Sequence, residues 1–244
     1  MTLRDLSMRN SHGLLTKLKL FMEVDNPEMT LLTLRTLLAY LQKFNGQDLP
    51  IKDLKDIGII DRLYLILDYE NELLGELTRL SLSVLTQISY NHPTEIARLN
   101  VKKIISLCDG TCCEDLKTQE VAIKLICNLL TQEQSRDEII EKDGLFAIFH
   151  CMINNNKSAL KYALGCILNL TFLTNSKSSN IIKQISHNGG LAHLIGALQK
   201  SAALVDYQSM LYAIKSLSNL AMSSANVNLV LGEFGGIDIL LQIL

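Results

Sequence analysis

One pattern of apolar residues around a single polar residue recurs along the chain. Segments 121–129, 162–170 and 212–220 each place an Ala six residues before an Asn, aliphatic residues five and two before it, and a Leu one after it. Segment 79–88 repeats the arrangement, with Ser81 for the Ala and Gln87 for the Asn. On a helix, these apolar positions fall within an arc of about 120° on the side away from the Asn. The pattern therefore predicts repeated amphipathic helices.

A small residue before a short apolar run gives an independent measure of the period. Its occurrences advance in steps of 45, 42, 44, 46 and 46 residues, at Gly13, Gly58, Asn100, Gly144, Gly190 and Gly236. Gly and Asn tolerate the left-handed backbone that ends one helix and turns sharply into the next. Because HEAT and armadillo units have this period, the chain is predicted to be all-α.

The order of helices within a unit distinguishes these two repeat types. Each unit is predicted to have a short first helix that ends near Gly, a second helix of about eight residues, and a longer third helix that contains the Asn. Segments 181–198 and 213–221 resemble the armadillo consensus, and the similarity covers essentially the whole chain. The resemblance implies a right-handed α-solenoid, an armadillo-like superhelix. Its single domain would span 1–244, with repeats at approximately 1–47, 48–92, 93–133, 134–176 and 177–223 and a partial sixth repeat at 224–244.

The same register predicts the core and two irregularities. The expected core residues are Ala122, Ile126, Leu129, Ala163, Ile167, Leu170, Ala213, Leu217 and Leu220. Gly190 lies 21 residues after Asn169, against a separation of 16 in the preceding repeat, which predicts a longer Ser-rich loop at 174–179. The aliphatic run 237–244 is predicted to be a second helix without a third to cover it. We expect further chain, a partner or a second copy to cover its apolar residues Ile239, Leu240 and Ile243.

Composition excludes several classes of protein. A net charge of −2 provides no global field to recruit nucleic acid, and the few, scattered aromatic residues do not suggest a base-stacking surface. No run of eighteen uncharged apolar residues and no secretory signal occur, which predicts an intracellular protein of the cytoplasm or nucleus without membrane insertion. In such a setting the six cysteines are expected to be reduced thiols.

The sequence contains no motif typical of a metal-binding, nucleotide-binding or catalytic site. The histidines do not have the spacing of a zinc-binding helix, and Cys108, Cys112 and Cys113 have no fourth ligand nearby. No P-loop, dinucleotide-binding loop or nucleophile elbow occurs, and the Gly-Gly pairs at 189 and 235 recur as turns of the repeat. We therefore expect no catalytic residues, no metal and no cofactor, and we do not expect an enzyme.

The polar face of the third helices is the remaining candidate site. The Asn and the positions four and eight residues before it lie on this face. Over five repeats this gives fifteen positions, of which six are basic and one is acidic. The fifteen are Arg35, Ala39, Lys43; Arg79, Ser83, Gln87; Glu120, Lys124, Asn128; Lys161, Gly165, Asn169; and Leu211, Lys215, Asn219. The alternative is a solvated polar face that happens to be basic.

The armadillo resemblance suggests what such a face binds. Nuclear-import adaptors of this family have a Trp four residues before the Asn, whereas this chain has Lys124, Gly165 and Lys215 there. The basic residues are more similar to a catenin-type groove for acidic segments. We therefore predict an adaptor that binds an acidic or phosphorylated extended segment through Arg79, Gln87, Lys124, Asn128, Lys161, Asn169, Lys215 and Asn219. The alternative is a structural subunit of a cytoskeletal, axonemal or chromosomal assembly that uses its ends and convex face.

Overall fold

The structure is a computed structural model, and it describes residues 3–44, 49–67, 75–97, 101–109, 115–154, 156–172, 176–222, 232 and 235–243. Within these ranges all regular secondary structure is helical, as the repeat pattern predicts. The helices divide into two compact units, residues 1–104 and 105–244, which are described separately below.

Unit 1 is organised around one central third helix. Its helices are α1 (Leu3–Glu23), α2 (Pro27–Gln42), α3 (Ile51–Asp56), α4 (Ile59–Leu67), α5 (Gly75–Ser89) and α6 (Pro93–Ala97), and α7 (Val101–Cys108) spans the boundary between the units. Helix α5 packs against α2, α4 and α6. Leu34 and Leu37 of α2 and Leu82 and Leu85 of α5 are fully buried in this core.

The turn expected at Gly13 does not form. Gly13 lies inside the continuous 21-residue helix α1. A helix-interior glycine costs about 1 kcal/mol relative to alanine, which packing of an amphipathic face offsets. Leu15, Leu18 and Met22 continue that face beyond the glycine, and all three are buried. Uninterrupted helical periodicity therefore prevails over the local turn signal.

Unit 2 shows the three-helix order most clearly. Its helices are α8 (Leu116–Leu129), α9 (Glu133–Glu141), α10 (Gly144–Ile153), α11 (Lys157–Thr171), α12 (Ser176–His187), α13 (Gly190–Ala203), α14 (Tyr207–Ala221) and α15 (Gly236–Ile243). The third helices α8, α11 and α14 are neighbours, because α11 packs against both of the others. The nine core residues predicted from the register are all buried, and the most exposed of them is Leu217, at 7%.

Left-handed residues join the first and second helices, as the period predicts. Gly58, Gly189 and Gly235 have φ values of 79°, 74° and 63°. Before α10 the left-handed residue is Asp143, with φ 63°, and the next residue is the glycine. A Cβ on Gly144 would lie 2.6 Å from the carbonyl oxygen of Ile139, so a larger residue does not fit there. Asn100, the corresponding residue of the third repeat, lies outside the described residues.

Asn or Asp side chains cap the start of four helices at the same place in the repeat. Asn26, Asp115, Asn156 and Asp206 accept hydrogen bonds from backbone N–H groups in the first turns of α2, α8, α11 and α14. These side chains satisfy donors that have no partner within the helix. Asn156 also donates through Nδ2 to the carbonyl oxygen of Leu116, 2.7 Å away, and so connects successive repeats.

The predicted loop at 174–179 is largely wrong. Residues 176–179 form the start of α12, which is 12 residues long, against 9 for the equivalent helix α9. The inserted residues therefore extend the first helix, since serine and lysine are tolerated in helices at little cost. Thr174 and Asn175 lie outside the described residues.

The last helix buries one of the three residues that were expected to be uncovered. Helix α15 packs against α13, and Ile239 is already buried at 5% exposure. The exposed apolar residues of this helix are instead Ile237 and Leu241, at 47% and 66%. The side chains of Leu240 and Ile243 lie outside the described residues. No described helix is both long and apolar enough to cross a membrane.

Candidate functional site

The predicted lysines of unit 2 lie on three neighbouring third helices. Lys124 of α8 and Lys215 of α14 are exposed, and Lys161 of α11 is half-buried. Within the described part of the chain, none of the three has a carboxylate within 4.0 Å. The charge of Lys161 does lower the pKa of Asp206, together with the stronger effect of the hydrogen bond from Ser209. We call Lys124, Lys161 and Lys215 the lysine row.

Tyr162 organises the first two members of the lysine row. The Nζ atoms of Lys124 and Lys161 lie 5.6 and 5.8 Å from the centroid of its ring. An ammonium group at this distance is attracted by the negative face of an aromatic ring. One tyrosine therefore holds two cations from adjacent helices close to the same point on the surface.

Tyr212 occupies the equivalent place one repeat later, but over a glycine. A Cβ on Gly165 would lie 3.7 Å from the Tyr212 ring and 3.0 Å from Sγ of Cys127. Gln208 donates from Nε2 to the hydroxyl of Tyr212, at 2.7 Å. Gly165, which was predicted to lie on the open polar face, is therefore buried where α8, α11 and α14 approach each other. Close packing of the third helices, rather than ligand contact, explains this glycine.

The asparagines of the face also connect successive third helices. Asn169 donates from Nδ2 to the carbonyl oxygen of Cys127 at 3.0 Å, and Asn219 donates from Nδ2 to Oγ1 of Thr171 at 3.2 Å. Both are half-buried, as is Asn128. An amide has two hydrogens and a carbonyl oxygen, so Asn169 and Asn219 retain capacity for a ligand after these contacts.

The corresponding face of unit 1 has a different charge arrangement. Arg35 of α2 contacts Oε1 of Glu76 at 2.6 Å, and Arg79 of α5 lies 3.9 Å from the same oxygen. The hydrogen bond from Arg35 is the main reason why the pKa of Glu76 lies below its ordinary value. Gln87 is half-buried on the same helix. The two arginines therefore share one carboxylate.

Sequence reasoning missed two sets of residues that recur on the third helices of unit 2. Tyr162 and Tyr212 each stand seven residues before the Asn of their helix, so their recurrence was a detectable signal. Phe172 and Met222 each stand three residues after it and are 75% and 87% exposed. Both sets recur at fixed positions relative to the Asn. This recurrence is hard to see in the sequence, because the aromatic residues are few and scattered.

Among the described side chains, no three or more His, Cys, Asp or Glu residues are arranged to hold a metal ion. Cys108 is the buried last residue of α7. Cys112 and Cys113 lie outside the described residues.

Comparison with solved structures identifies the fold. An engineered protein solved by the Northeast Structural Genomics Consortium is similar over 93% of this chain and 89% of its own, with a TM-score of 0.77 and 18% identity. A designed armadillo repeat protein in complex with the peptide (KR)4 is similar over 93% and 90%, with a TM-score of 0.75 and 18% identity. The chain has an armadillo-type repeat fold.

A second designed armadillo structure also supports this fold. One of the computationally designed armadillo repeat proteins for modular peptide recognition is similar over 93% of this chain and 91% of its own, with a TM-score of 0.76 and 17% identity. No protein-family model matches the sequence, and no curated protein sequence matches it either. The armadillo assignment thus rests on structure, and it agrees with the resemblance seen in segments 181–198 and 213–221.

Proposed function

We propose that this chain is a non-enzymatic, intracellular protein-interaction module, and that the third helices of unit 2 bind an extended acidic segment of a partner protein. The segment would contact the lysine row and the amides of Asn128, Asn169 and Asn219. Acidic side chains and phosphorylated residues have the chemistry that the three ammonium groups recognise. Arg79 and Gln87, on the third helix of unit 1, would bind an acidic segment in a similar but weaker way.

The observation that supports the proposal is that no member of the lysine row forms an ion pair within the described part of the chain. Lys124, Lys161 and Lys215 stand on adjacent helices, with no carboxylate within 4.0 Å among the described residues. Ammonium groups that are not neutralised internally create a positive local field, which attracts an anionic partner and weakens as salt rises. The amides next to them offer donors and acceptors to an extended backbone without demanding a particular sequence.

The solved relatives make peptide recognition a reasonable use of this fold. One was designed for modular peptide recognition, and another is in complex with (KR)4, which is a basic peptide. In this chain the third-helix face of unit 2 is lysine-rich, so we expect it to prefer an acidic peptide. Phe172 and Met222, exposed at the ends of α11 and α14, would contact apolar side chains of the segment.

Affinity is expected to be spread over several weak contacts. An exposed ion pair contributes about 0–1 kcal/mol, so the simultaneous use of three lysines is needed. Changing both Lys124 and Lys215 to Glu should therefore weaken binding of a labelled octaglutamate peptide roughly tenfold or more, or about 1.4 kcal/mol. Fluorescence anisotropy at several salt concentrations measures the effect, with (KR)4 as the peptide of opposite charge.

A matched variant separates the site from net charge. Lys102 of α7 and Lys183 of α12 are exposed lysines outside the third helices, and changing both to Glu alters the net charge equally. The proposal requires that this control bind octaglutamate almost normally. Equal losses in the two variants, or binding without salt dependence, would exclude the lysine row as the site.

One observation favours the alternative function, a structural subunit of a larger assembly. Phe146 and Ile153 of α10 are 65% and 59% exposed, and α10 is a second helix rather than a third. Normal assembly with a larger complex in the Lys124→Glu/Lys215→Glu variant, together with its loss on Phe146→Asp, would favour that function instead.

A further inference from the structure

A cleft lies between the first helices of two successive repeats in unit 2. Helix α9 packs against α10, α12 packs against α13, and α10 packs against α13, so α9 and α12 occupy equivalent places in the stack. The cleft between α9 and α12 has a volume of about 270 Å³. Its lining residues are Asp137, Ile140 and Glu141 of α9 and Asn180, Ile181 and Gln184 of α12. Because these are first helices, the cleft is distinct from the lysine row, which lies on the third helices.

The polar residues of the two walls have the same spacing. Asp137 and Glu141 are four residues apart, so they lie on the same side of α9. Asn180 and Gln184 are also four residues apart, and they lie on the side of α12 that lines the same cleft. One wall therefore presents two carboxylates, which accept hydrogen bonds, and the other presents two amides, which both accept and donate them.

An isoleucine lies beside the polar pair on each wall. Ile181 of α12 is buried, and Ile140 of α9 is half-buried. Apolar surface is therefore next to both the carboxylates and the amides. A side chain that lies along the cleft can contact the isoleucines with its methylene groups and the carboxylates with a charged end.

The charge of the lining is negative. Only the two carboxylates among its six side chains are ionisable, which gives a formal charge of −2. The cations nearest in sequence, Arg136, Lys142 and Lys183, do not line the cleft. Arg136 donates to two backbone carbonyl oxygens, and Lys142 pairs with a glutamate outside the lining. Burial lowers the pKa of Arg136, and the charge of Asp137 is among the effects that oppose this, so Asp137 is partly balanced. Among the described residues, Glu141 has no cation within 4.0 Å.

The size of the cleft restricts the kind of ligand that it accepts. A volume of about 270 Å³ lies below the roughly 300–1,000 Å³ that is typical of pockets for small-molecule ligands and cofactors. It corresponds to about nine water molecules, at roughly 30 Å³ each in the liquid. A space of this size suits one protein side chain rather than a cofactor.

Arginine matches the lining more completely than lysine does. Both side chains combine an apolar stem with a charged end. A guanidinium group has five N–H donors in one plane, so it can contact a carboxylate through two of them and use the others on further acceptors, whereas an ammonium group has three. The acceptors of the cleft are two carboxylates and the carbonyl oxygens of two amides.

We propose that the cleft between α9 and α12 binds an arginine side chain from a basic segment of a partner protein. The guanidinium group contacts the carboxylates of Asp137 and Glu141, and the methylene groups lie against Ile140 and Ile181. The amides of α12 bind backbone groups next to that arginine. The inference is independent of the acidic ligand proposed for the lysine row, because it uses other helices and the opposite charge.

The test uses N-acetyl-arginine methylamide as the probe, with the equivalent citrulline and lysine compounds as controls. Citrulline has nearly the shape of arginine but no charge. The full chain is labelled with carbon-13 in its isoleucine methyl groups, and the probe is added at low salt while the methyl signals are followed by NMR. We expect saturable shifts at Ile140 and Ile181. Binding of citrulline should be roughly fivefold or more weaker, because it forms no ion pair, and binding of lysine roughly twofold weaker.

A double variant removes the charge of the cleft with little change in its shape. In Asp137→Asn/Glu141→Gln, arginine binding should weaken by at least as much as the change to citrulline does. The matched control is Glu133→Gln/Asp238→Asn, which removes two charges from exposed residues of unit 2 that do not line the cleft. This control should bind arginine like the parent protein. Circular dichroism is used to confirm that both variants keep the helical content.

Three results would overturn the proposal. The first is citrulline binding as tightly as arginine, and the second is an equal loss of arginine binding in the two double variants. The third is a probe that shifts the methyl signals of other isoleucines in place of those of Ile140 and Ile181.

The two proposed sites can fail separately. The variant Asp137→Asn/Glu141→Gln should bind octaglutamate at least as well as the parent protein, because it loses negative charge away from the lysine row. The variant Lys124→Glu/Lys215→Glu should bind the arginine probe normally. A loss of arginine binding in the lysine variant as large as that in the cleft variant would also contradict a separate arginine site.

Discussion

The third-helix faces of the two units have similar numbers of cations but different electrostatics. In unit 1, Arg35 and Arg79 lie 2.6 and 3.9 Å from one carboxylate oxygen of Glu76. In unit 2, the described residues place no carboxylate within 4.0 Å of Lys124, Lys161 or Lys215. Instead, the first two of these lysines lie near the ring of Tyr162. Counting basic residues at repeat positions thus overestimates the field of unit 1 and describes unit 2 more faithfully.

The contrast arises from single side chains at equivalent positions. Glu76 stands eleven residues before Gln87, and Gln208 stands eleven residues before Asn219. The carboxylate of Glu76 is shared by two arginines, whereas the amide of Gln208 bonds to the Tyr212 hydroxyl. The carboxylate of Glu76 therefore pairs with the neighbouring arginines, whereas the amide of Gln208 leaves the neighbouring lysines free to bind an anionic partner.

The largest expected effect is a loss of stability, and it tests whether the two units differ only in their surface charge. Ile167 of unit 2 and Leu85 of unit 1 both stand two residues before the reference Asn or Gln, and both are fully buried. Changing either to Ala should destabilise its unit by about 2–4 kcal/mol, because each leaves a cavity in a tightly packed core. Chemical denaturation followed by circular dichroism measures both. A loss below about 0.5 kcal/mol, less than an ordinary core truncation, would show that the repeat register is wrong there.

Transferring the unit 1 arrangement to unit 2 should have the next largest effect. The variant Gln208→Glu places a carboxylate on α14 at the position equivalent to Glu76, where we expect it to pair with Lys161. Binding of octaglutamate should fall roughly two- to fivefold, since one exposed pair is worth up to about 1 kcal/mol. The isosteric change leaves the hydrogen-bonding side chain near Tyr212. Unchanged affinity at low salt would mean that Lys161 makes no contact with the peptide.

The reverse change should make unit 1 more similar to unit 2. Glu76→Gln removes the carboxylate shared by Arg35 and Arg79 and leaves both guanidinium groups without it. We expect a smaller gain in octaglutamate affinity, roughly twofold, because these side chains are exposed and screened. The same anisotropy assay measures Glu76→Gln beside Gln208→Glu. A loss of affinity in Glu76→Gln, in place of a gain, would contradict the comparison.

The smallest expected effect is a pH dependence of stability in unit 1. Arg35 lowers the pKa of Glu76, so its ionised form is favoured more in the folded chain than in the unfolded chain. The resulting stabilisation is present above the unfolded pKa of about 4.3 and is lost as pH falls through the lower folded value. The stability difference between the parent protein and Glu76→Gln should therefore be greater at neutral pH than in acid. A difference independent of pH would show that Glu76 is not stabilised in its charged form.

The sequence by itself determined the repeat and its core. Ala122, Ile126 and Leu129, and their equivalents in α11 and α14, are buried as their spacing predicts, because a stacked amphipathic helix has only one apolar stripe to bury. The glycines that turn left-handed, such as Gly58 and Gly189, were equally predictable, because few other residues adopt that backbone without strain. Local signals failed at Gly13, which lies inside α1, and at 176–179, which lie inside α12.

Only the tertiary structure decided which polar groups are already occupied. The Arg35–Glu76 contact joins residues 41 apart, and the Asn169–Cys127 contact joins residues 42 apart. Each partner is set by how one repeat stacks on the next, which helical periodicity within a repeat does not encode. The fold of this chain therefore follows from local periodicity, whereas the charge of its faces follows from contacts between repeats.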